Sequence, residues 1–482
     1  MKITCFILAF LLGFSSTVTA MDIDKIELPD MGDSSGTLIS PKQEQELGEA
    51  FFRNLHAQIK INEDPEIQQY IETIGHQLVV NSDAPGYPFH FFVVIDKEIN
   101  AFAGPGGYIG VNSGLFLLTE AESELASVMA HEVAHVTQRH LYRAFEAASK
   151  LSLPTAAAML AAILLGTQSP ELGQAAIMAV QAGSAQFQID FTRDNEMEAD
   201  RVGMQTLANA DYDPRSMPVF FERLQQSTRY YGQGIPEFLR THPVSASRIA
   251  DTRGRADKYP YKQYPDSKGY QLAKAKLRVL TGKDDSDTLQ YFQVREHQGT
   301  DFQRAVASYG IALVKLKTQQ FDAAEKTFRQ LAERYPNQPQ FATALARTAL
   351  DSRQFDKALS LFKQALYNFP NDTAIKIELI ETLLKTGHAD QALQTLKTLD
   401  SGLQKRPIYY ELMAQSEAAL DQEVESHRYM AEYYYAKGQT EAAIMQIKLA
   451  KQGNKLNFYQ QAILNERMEF FLNEERQRKR NQ

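Results

Sequence analysis

The chain has 482 residues, 44% hydrophobic and 23% charged, with a formal net charge of −8. That length exceeds what one hydrophobic core usually organises, so two or more domains are expected. The acidic balance leaves no global electrostatic footprint for nucleic acid, and the single cysteine, Cys5, excludes an intramolecular disulfide and a metal site built on several thiolates.

Residues 1–20 place one charge, Lys2, ahead of an apolar run over 3–14 broken only by Thr4 and Gly13, and close on Thr17-Val18-Thr19-Ala20. This is the pattern of a secretory signal peptide cut after Ala20. An uncleaved anchor is the competing reading, but the run is short against the roughly 20 residues a span needs. Cys5 lies inside the segment to be removed, so any metal must sit on histidines and carboxylates.

From 21 to about 262 the texture is α+β and mostly helical, with strand-like runs at 89–95 (FHFFVVI) and 108–112 (YIGVN) between Gly/Pro punctuation. The stretch 123–140 (SELASVMAHEVAHVTQRH) carries Leu125, Val128 and Met129 at helical spacing ahead of the histidines. At 3.6 residues per turn, His131 and His135 project from one face a single turn apart. Glu132 lies on the same side of that helix, where a carboxylate can reach a metal-bound water without binding the metal itself. Zinc on three protein ligands keeps a fourth position for water and lowers its pKa to about 7; Glu132 is then the expected general base.

The third ligand must come from elsewhere, because the extended metzincin pattern wants a glycine and a further histidine where Gln138 and Leu141 stand. His140, on the same helix extrapolated, points away from His131 and reads as a surface or helix-end histidine. The uncharged stretch 151–170 has an apolar core of only about ten residues, too few to span a membrane. It reads as a buried helix pair or as a flap over 151–180 making peripheral contact with a membrane surface.

In 192–201 (TRDNEMEADR), Glu196 and Asp200 are four apart and share a face, while Glu198 points elsewhere. Glu196 can ligate a metal and Asp200 can accept the second N–H of a ligating imidazole. The plainer alternative is an acidic exposed helix with Arg193 and Arg201 pairing across turns. His242, in Thr241-His242-Pro243, is either an oxyanion donor, the occupant of the open position in a latent state, or a structural histidine at a turn; Arg248 supports the same region.

Beyond the turn-rich stretch 259–265, the texture is all-α. Residues recur at a step of 34: Ile311, Leu345 and Leu379; Ala324, Ala358 and Ala392; Phe328, Phe362 and Leu396. That is the tetratricopeptide period, in which a small residue lets two helices approach and an aromatic fills the gap behind it. Pro336 and Pro370 close their repeats, Pro407 arrives three residues late, and 438–443 (GQTEAA) resumes a similar phrase out of register. At least three repeats are expected.

The segments 100–112 (NAFAGPGGYIGVN), 131–135 (HEVAH), 195–201 (NEMEADR) and 241–249 (THPVSASRI) resemble the HtpX/Oma group of HExxH gluzincin peptidases, from about residue 45 to 255. The resemblance implies one Zn²⁺ per chain on His131, His135 and Glu196, Glu132 as catalytic base, Asp200 behind a ligating histidine, and His242 as the group's THP histidine. It also implies that the strand around 106–111 is an edge to which an extended substrate adds. With the signal peptide and the repeats, it implies a periplasmic endopeptidase whose partners are misfolded or stalled outer-membrane proteins and the β-barrel assembly machinery. The expected organisation is 1–20 signal peptide, 21–262 zinc metallopeptidase domain and 263–482 tetratricopeptide repeat domain. A function of another class is a chaperone or adaptor built on the repeats, with a mostly latent peptidase. Deleting 270–482, or changing Glu132 to Gln, separates recruitment from chemistry.

Overall fold

The structure, a computed structural model, describes residues 40–147, 185–230, 236–453 and 456–480. The expected signal peptide and the stretch 151–180 lie outside them.

Two capped helices open the fold. Helix α1 (Pro41–Gln58) starts on a capping box between Ser40 and Gln43, and α2 (Pro65–Val80) starts on Asp64, whose carboxylate accepts from the Glu66 and Ile67 N–H groups. Both caps satisfy backbone donors that a helix start leaves unpaired. A three-stranded sheet follows: β1 (His90–Val94), β2 (Ala101–Ala103) and β3 (Tyr108–Asn112). Its order is β1-β3-β2, with β1 parallel and β2 antiparallel to β3. Tyr108–Asn112 is therefore the central strand, and the expectation that it forms an edge is corrected: the edge on that side is β2. Both runs are equally strand-like in sequence, and only long-range pairing decides which sits inside. The turn between β2 and β3 needs its glycines, since Gly107 has φ +75° and a Cβ there would meet Pro88 O at 2.2 Å.

Helices α3 (Ser113–Leu118), α4 (Glu122–Thr137), α5 (His140–Ala147), α6 (Ala185–Asn209), α7 (Ser216–Tyr230), α8 (Glu237–Thr241) and α9 (Ala246–Ala256) complete this half. Every residue of α4 from Glu122 to Ala134 is buried, so the HExxH helix runs through the core rather than along its surface. It packs among Ile71 and Leu78 of α2, Val93 and Val111 of the sheet, Met204 and Leu207 of α6, and Phe220 and Leu224 of α7. The α4/α6 crossing is close at Gly203, where a Cβ would sit 3.0 Å from both Ala130 O and His131 N. Gly203→Val is expected to cost about 1–3 kcal/mol by overpacking against backbone that cannot yield, and to lower the zinc content of purified protein. A variant that melts with the parent and holds its full metal would show the crossing to be tolerant.

The all-α half runs through α10 (Lys268–Thr281), α11 (Asp285–Arg295), α12 (Asp301–Lys317), α13 (Phe321–Arg334), α14 (Pro339–Asp351), α15 (Phe355–Asn368), α16 (Thr373–Lys385), α17 (Ala389–Leu396), α18 (Pro407–Ala419), α19 (Glu423–Ala436), α20 (Thr440–Lys451) and α21 (Phe458–Arg480). Ala324, Ala358 and Ala392 are fully buried, as are Phe328, Phe362 and Leu396. The helical hairpins turn on left-handed residues at Gln319, Arg353, Gly387 and Asp421, each 34 after the last. The period thus continues into a fourth hairpin, α18/α19. Pro407 is not a late closing proline. It stands at the first position of α18, as Pro339 does in α14, where a missing N–H costs nothing.

Helix α10 belongs to both halves. Tyr270, Ala273 and Leu277 pack into the peptidase-side core, while Leu272, Ala275 and Val279 pack into the first repeat core. A deletion starting at 270 would strip part of the first core, so a truncation that tests the repeats must keep α10. The array also touches α1 and α2: Lys276 Nζ lies 2.7 Å from Asp64 and Glu66, Gln69 bonds Asp372 and the Ala374 N–H, and Arg406 pairs with Glu72. At the far end Arg53 lies 3.4 Å from Glu474, and Gly438 passes against the Arg53 carbonyl.

Candidate metal centre

Helix α4 presents His131, Glu132 and His135; α6 presents Glu196 and Asp200; the α8–α9 connection presents His242, and α9 presents Arg248. The i, i+4 spacing works as the sequence suggests, because the first two histidines bring Nε2 atoms to 3.0 Å of each other. Glu196 completes the cluster, with Oε2 at 3.4 Å from His131 Nε2 and Oε1 at 3.3 Å from His135 Nε2. His242 Nδ1 lies 3.0 Å from Glu196 Oε1 and 3.4 Å from His131 Nε2. One ligand atom from each of His131, His135, Glu196 and His242 lies within 4.8 Å of the others. Nitrogen and carboxylate donors at this separation suit a tetrahedral cation such as zinc.

Behind the cluster, Asp200 Oδ1 sits 3.0 Å from His131 Nδ1, off the line of a hydrogen bond but close enough for its charge to favour the proton on that nitrogen. Arg248, buried to 3% exposure, donates Nε and Nη2 to the two Asp200 oxygens at 2.7 Å each and Nη1 to Glu196 Oε2 at 2.7 Å. The alternative of an exposed acidic helix does not hold for Glu196 and Asp200, which are 3% and 1% exposed. Sequence reading placed Arg248 near the site without its task, and a basic residue about fifty positions downstream gives no local signal of a bidentate bond.

The Glu132 carboxyl is buried and its Oε1 has no hydrogen-bond partner among the described residues, with His242 Nε2 3.5 Å away. An unsatisfied acceptor beside a ligand cluster is where a proton donor such as water fits. Burial pushes the Glu132 carboxyl up, while His242 and His131 pull against it, and the Ala103 N–H bonds it from the outer side of β2. Asn100 and Gly104 face β3 through their backbone bonds, so the N–H and C=O groups of Ala101 and Ala103 point the other way, along the site.

His140 overturns its expected place. Helix α4 stops at Thr137, and Arg139 turns left-handed at φ 56°, so extrapolating one helix from His131 to His140 fails. The ring comes back beside His135 with Nδ1 atoms 2.9 Å apart and is 4% exposed. Its Nε2 is 3.1 Å from Glu198 Oε2, to which Arg143 Nη2 also donates at 3.0 Å. Glu198 does point away from the centre, as expected, but toward this histidine.

Residues 65–256 match the profile of peptidase family M48, and 309–373 and 349–416 match tetratricopeptide repeat profiles. A "putative beta-barrel assembly-enhancing protease" of Vibrio cholerae is 43% identical over 324 residues, covering 67% of each chain. The beta-barrel assembly-enhancing protease of Escherichia coli is 40% identical over 309 residues, 64% of this chain and 63% of that one. The mitochondrial metalloendopeptidase OMA1 of Arabidopsis thaliana is 30% identical over 190 residues, 39% of this chain and 36% of that one. The match thus spans a little under two thirds of the Escherichia coli relative's length.

Proposed function

The chain belongs to peptidase family M48 and is by class a zinc metalloendopeptidase, and from that premise we propose that it cleaves misfolded or stalled outer-membrane β-barrel proteins in the periplasm, with its repeats recruiting them or the machinery that assembles them. The names of the Vibrio cholerae and Escherichia coli relatives support the substrate class, and the helical array supports recruitment through its concave surface. Among the described residues no helix is long and apolar enough to cross a membrane.

In this reading His131, His135 and Glu196 would hold one Zn²⁺, which would supply Lewis-acid chemistry and a water of lowered pKa. Glu132 Oε1, buried and unpartnered, would take a proton from the attacking water and deliver it to the leaving amine. The outward N–H and C=O of Ala101 and the C=O of Ala103 on β2 are offered to an extended substrate, which adds as a strand with little preference for sequence. The Asp200 charge beside His131 Nδ1 favours the proton there and leaves the Nε2 lone pair toward the centre, and Arg248 keeps both carboxylates ionised and in place.

The observation that carries this reading is the convergence of the three ligand atoms beside the unpartnered Glu132 oxygen. Zinc content and casein cleavage of the purified protein test it, and protein without zinc would sink the site. His242 lies inside the same donor set, which favours the latent reading over the oxyanion one. His242→Ala is accordingly expected to keep one zinc and to raise casein cleavage roughly tenfold, as loss of a competing contact of about 1.4 kcal/mol gives. Lost cleavage with zinc retained would assign His242 to the oxyanion instead.

A further inference from the structure

We infer that His140 is a positioning residue: through a directional chain His135 Nδ1–H to His140 Nδ1, and His140 Nε2–H to Glu198, it fixes the tautomer and ring orientation of His135. The inference rests on reading His135 as a metal ligand. An imidazole that offers Nε2 to a cation carries its proton on Nδ1. For His135 that proton faces His140 Nδ1 at 2.9 Å, and two ring nitrogens at this distance need one donor and one acceptor. His140 Nδ1 must therefore be the bare nitrogen, which puts its own proton on Nε2, 3.1 Å from Glu198 Oε2. The reverse assignment fails at both ends. It would turn a lone pair of His140 toward a carboxylate and leave the proton of His135 on the nitrogen that faces the centre.

The two proposed ligating histidines are thus supported differently. His131 leans on an anion, Asp200, locked by Arg248. His135 leans on a neutral ring, itself held by a carboxylate that Arg143 braces from α5. Burial of the His140 ring at 4% exposure keeps water from substituting for either bond. The left-handed Arg139 is what makes this possible, since it reverses the chain directly after α4 and starts α5 with the imidazole facing back.

The test is zinc affinity of the full chain, measured by competition with a chelator, in the parent and in His140→Phe, His140→Asn and His140→Gln. Asparagine places its side-chain oxygen near the Nδ1 position and keeps an acceptor for His135. Glutamine reaches the Nε2 position and keeps only the tie to Glu198. Loss of such a partner weakens metal binding by about 10–100-fold, so Phe and Gln are expected to weaken zinc by that factor and Asn to stay close to the parent. A merely structural role would let Gln rescue as well as Asn. Melting of the metal-free proteins checks that the variants fold; if Phe does not, Glu198→Ala, at a part-exposed position, is expected to weaken zinc by about tenfold. A parent with one zinc and a His140→Phe variant of equal affinity overturns the inference alone. A parent without zinc overturns the ligand reading and the inference with it.

Discussion

Glu132→Gln is expected to cut casein cleavage by about 10²–10⁴-fold, the usual contribution of a positioned general base, with zinc still bound at one per chain. The amide has the shape of the carboxylate, and its oxygen can still accept from Ala103 N–H on β2. What it cannot do is take a proton at the position where Glu132 Oε1 stands unpartnered. Folding should not suffer, because a buried carboxylate whose ionisation burial already opposes is exchanged for a neutral group. The melting temperature is therefore expected to equal or exceed that of the parent. Cleavage within a few-fold of the parent would place the base elsewhere; a cellular phenotype that survives the substitution would belong to the repeats.

Arg248→Met is expected to be the most damaging change to stability. Arg248 gives three hydrogen bonds of 2.7 Å to Asp200 and Glu196 and one of 2.9 Å to Pro243 O, all within a buried site. Its removal leaves two carboxylates without their cation, and breaking one partner from a buried pair costs about 3–5 kcal/mol. For a domain of this size that is a fall of roughly 10 °C in melting temperature. Saturating zinc should recover part of the loss, because a cation at the His131, His135 and Glu196 cluster offsets the Glu196 charge. Arg248→Lys should fall between, since an ammonium cannot form the two-pronged bond that the guanidinium makes with Asp200. Scanning calorimetry with and without zinc checks both, and a metal-free Met variant that melts with the parent would show that Arg248 does not hold the pair.

The readable parts of the site were those fixed by one helix. His131 and His135, and likewise Glu196 and Asp200, follow from 3.6 residues per turn, and the repeat step of 34 follows from packing that recurs. Parts that depend on where a helix stops were hidden. Nothing in Thr137-Gln138-Arg139 carries the glycine that usually marks a left-handed turn, so His140 was extended along a helix that had ended. The same gap explains Pro407, read as the end of one helix when it begins the next. Sheet order was hidden for another reason: β1 and β3 carry similar apolar runs, and which one lies inside depends on the short strand at Ala101–Ala103, too brief to announce itself.

The array meets the peptidase half at α10, along α2 and near α1, and the first and last of these contacts differ in kind. At α10 the two halves share apolar side chains, whereas near α1 the contact rests largely on the part-exposed pairs Arg53–Glu474 and Lys437–Glu63, the latter just past the end of α1, and on the Arg53 guanidinium 4.5 Å from the Tyr435 ring. Polar contacts of that exposure are weak and screened by salt, while the shared core is neither. Rising ionic strength is therefore expected to weaken the contact near α1 before it disturbs the core shared at α10.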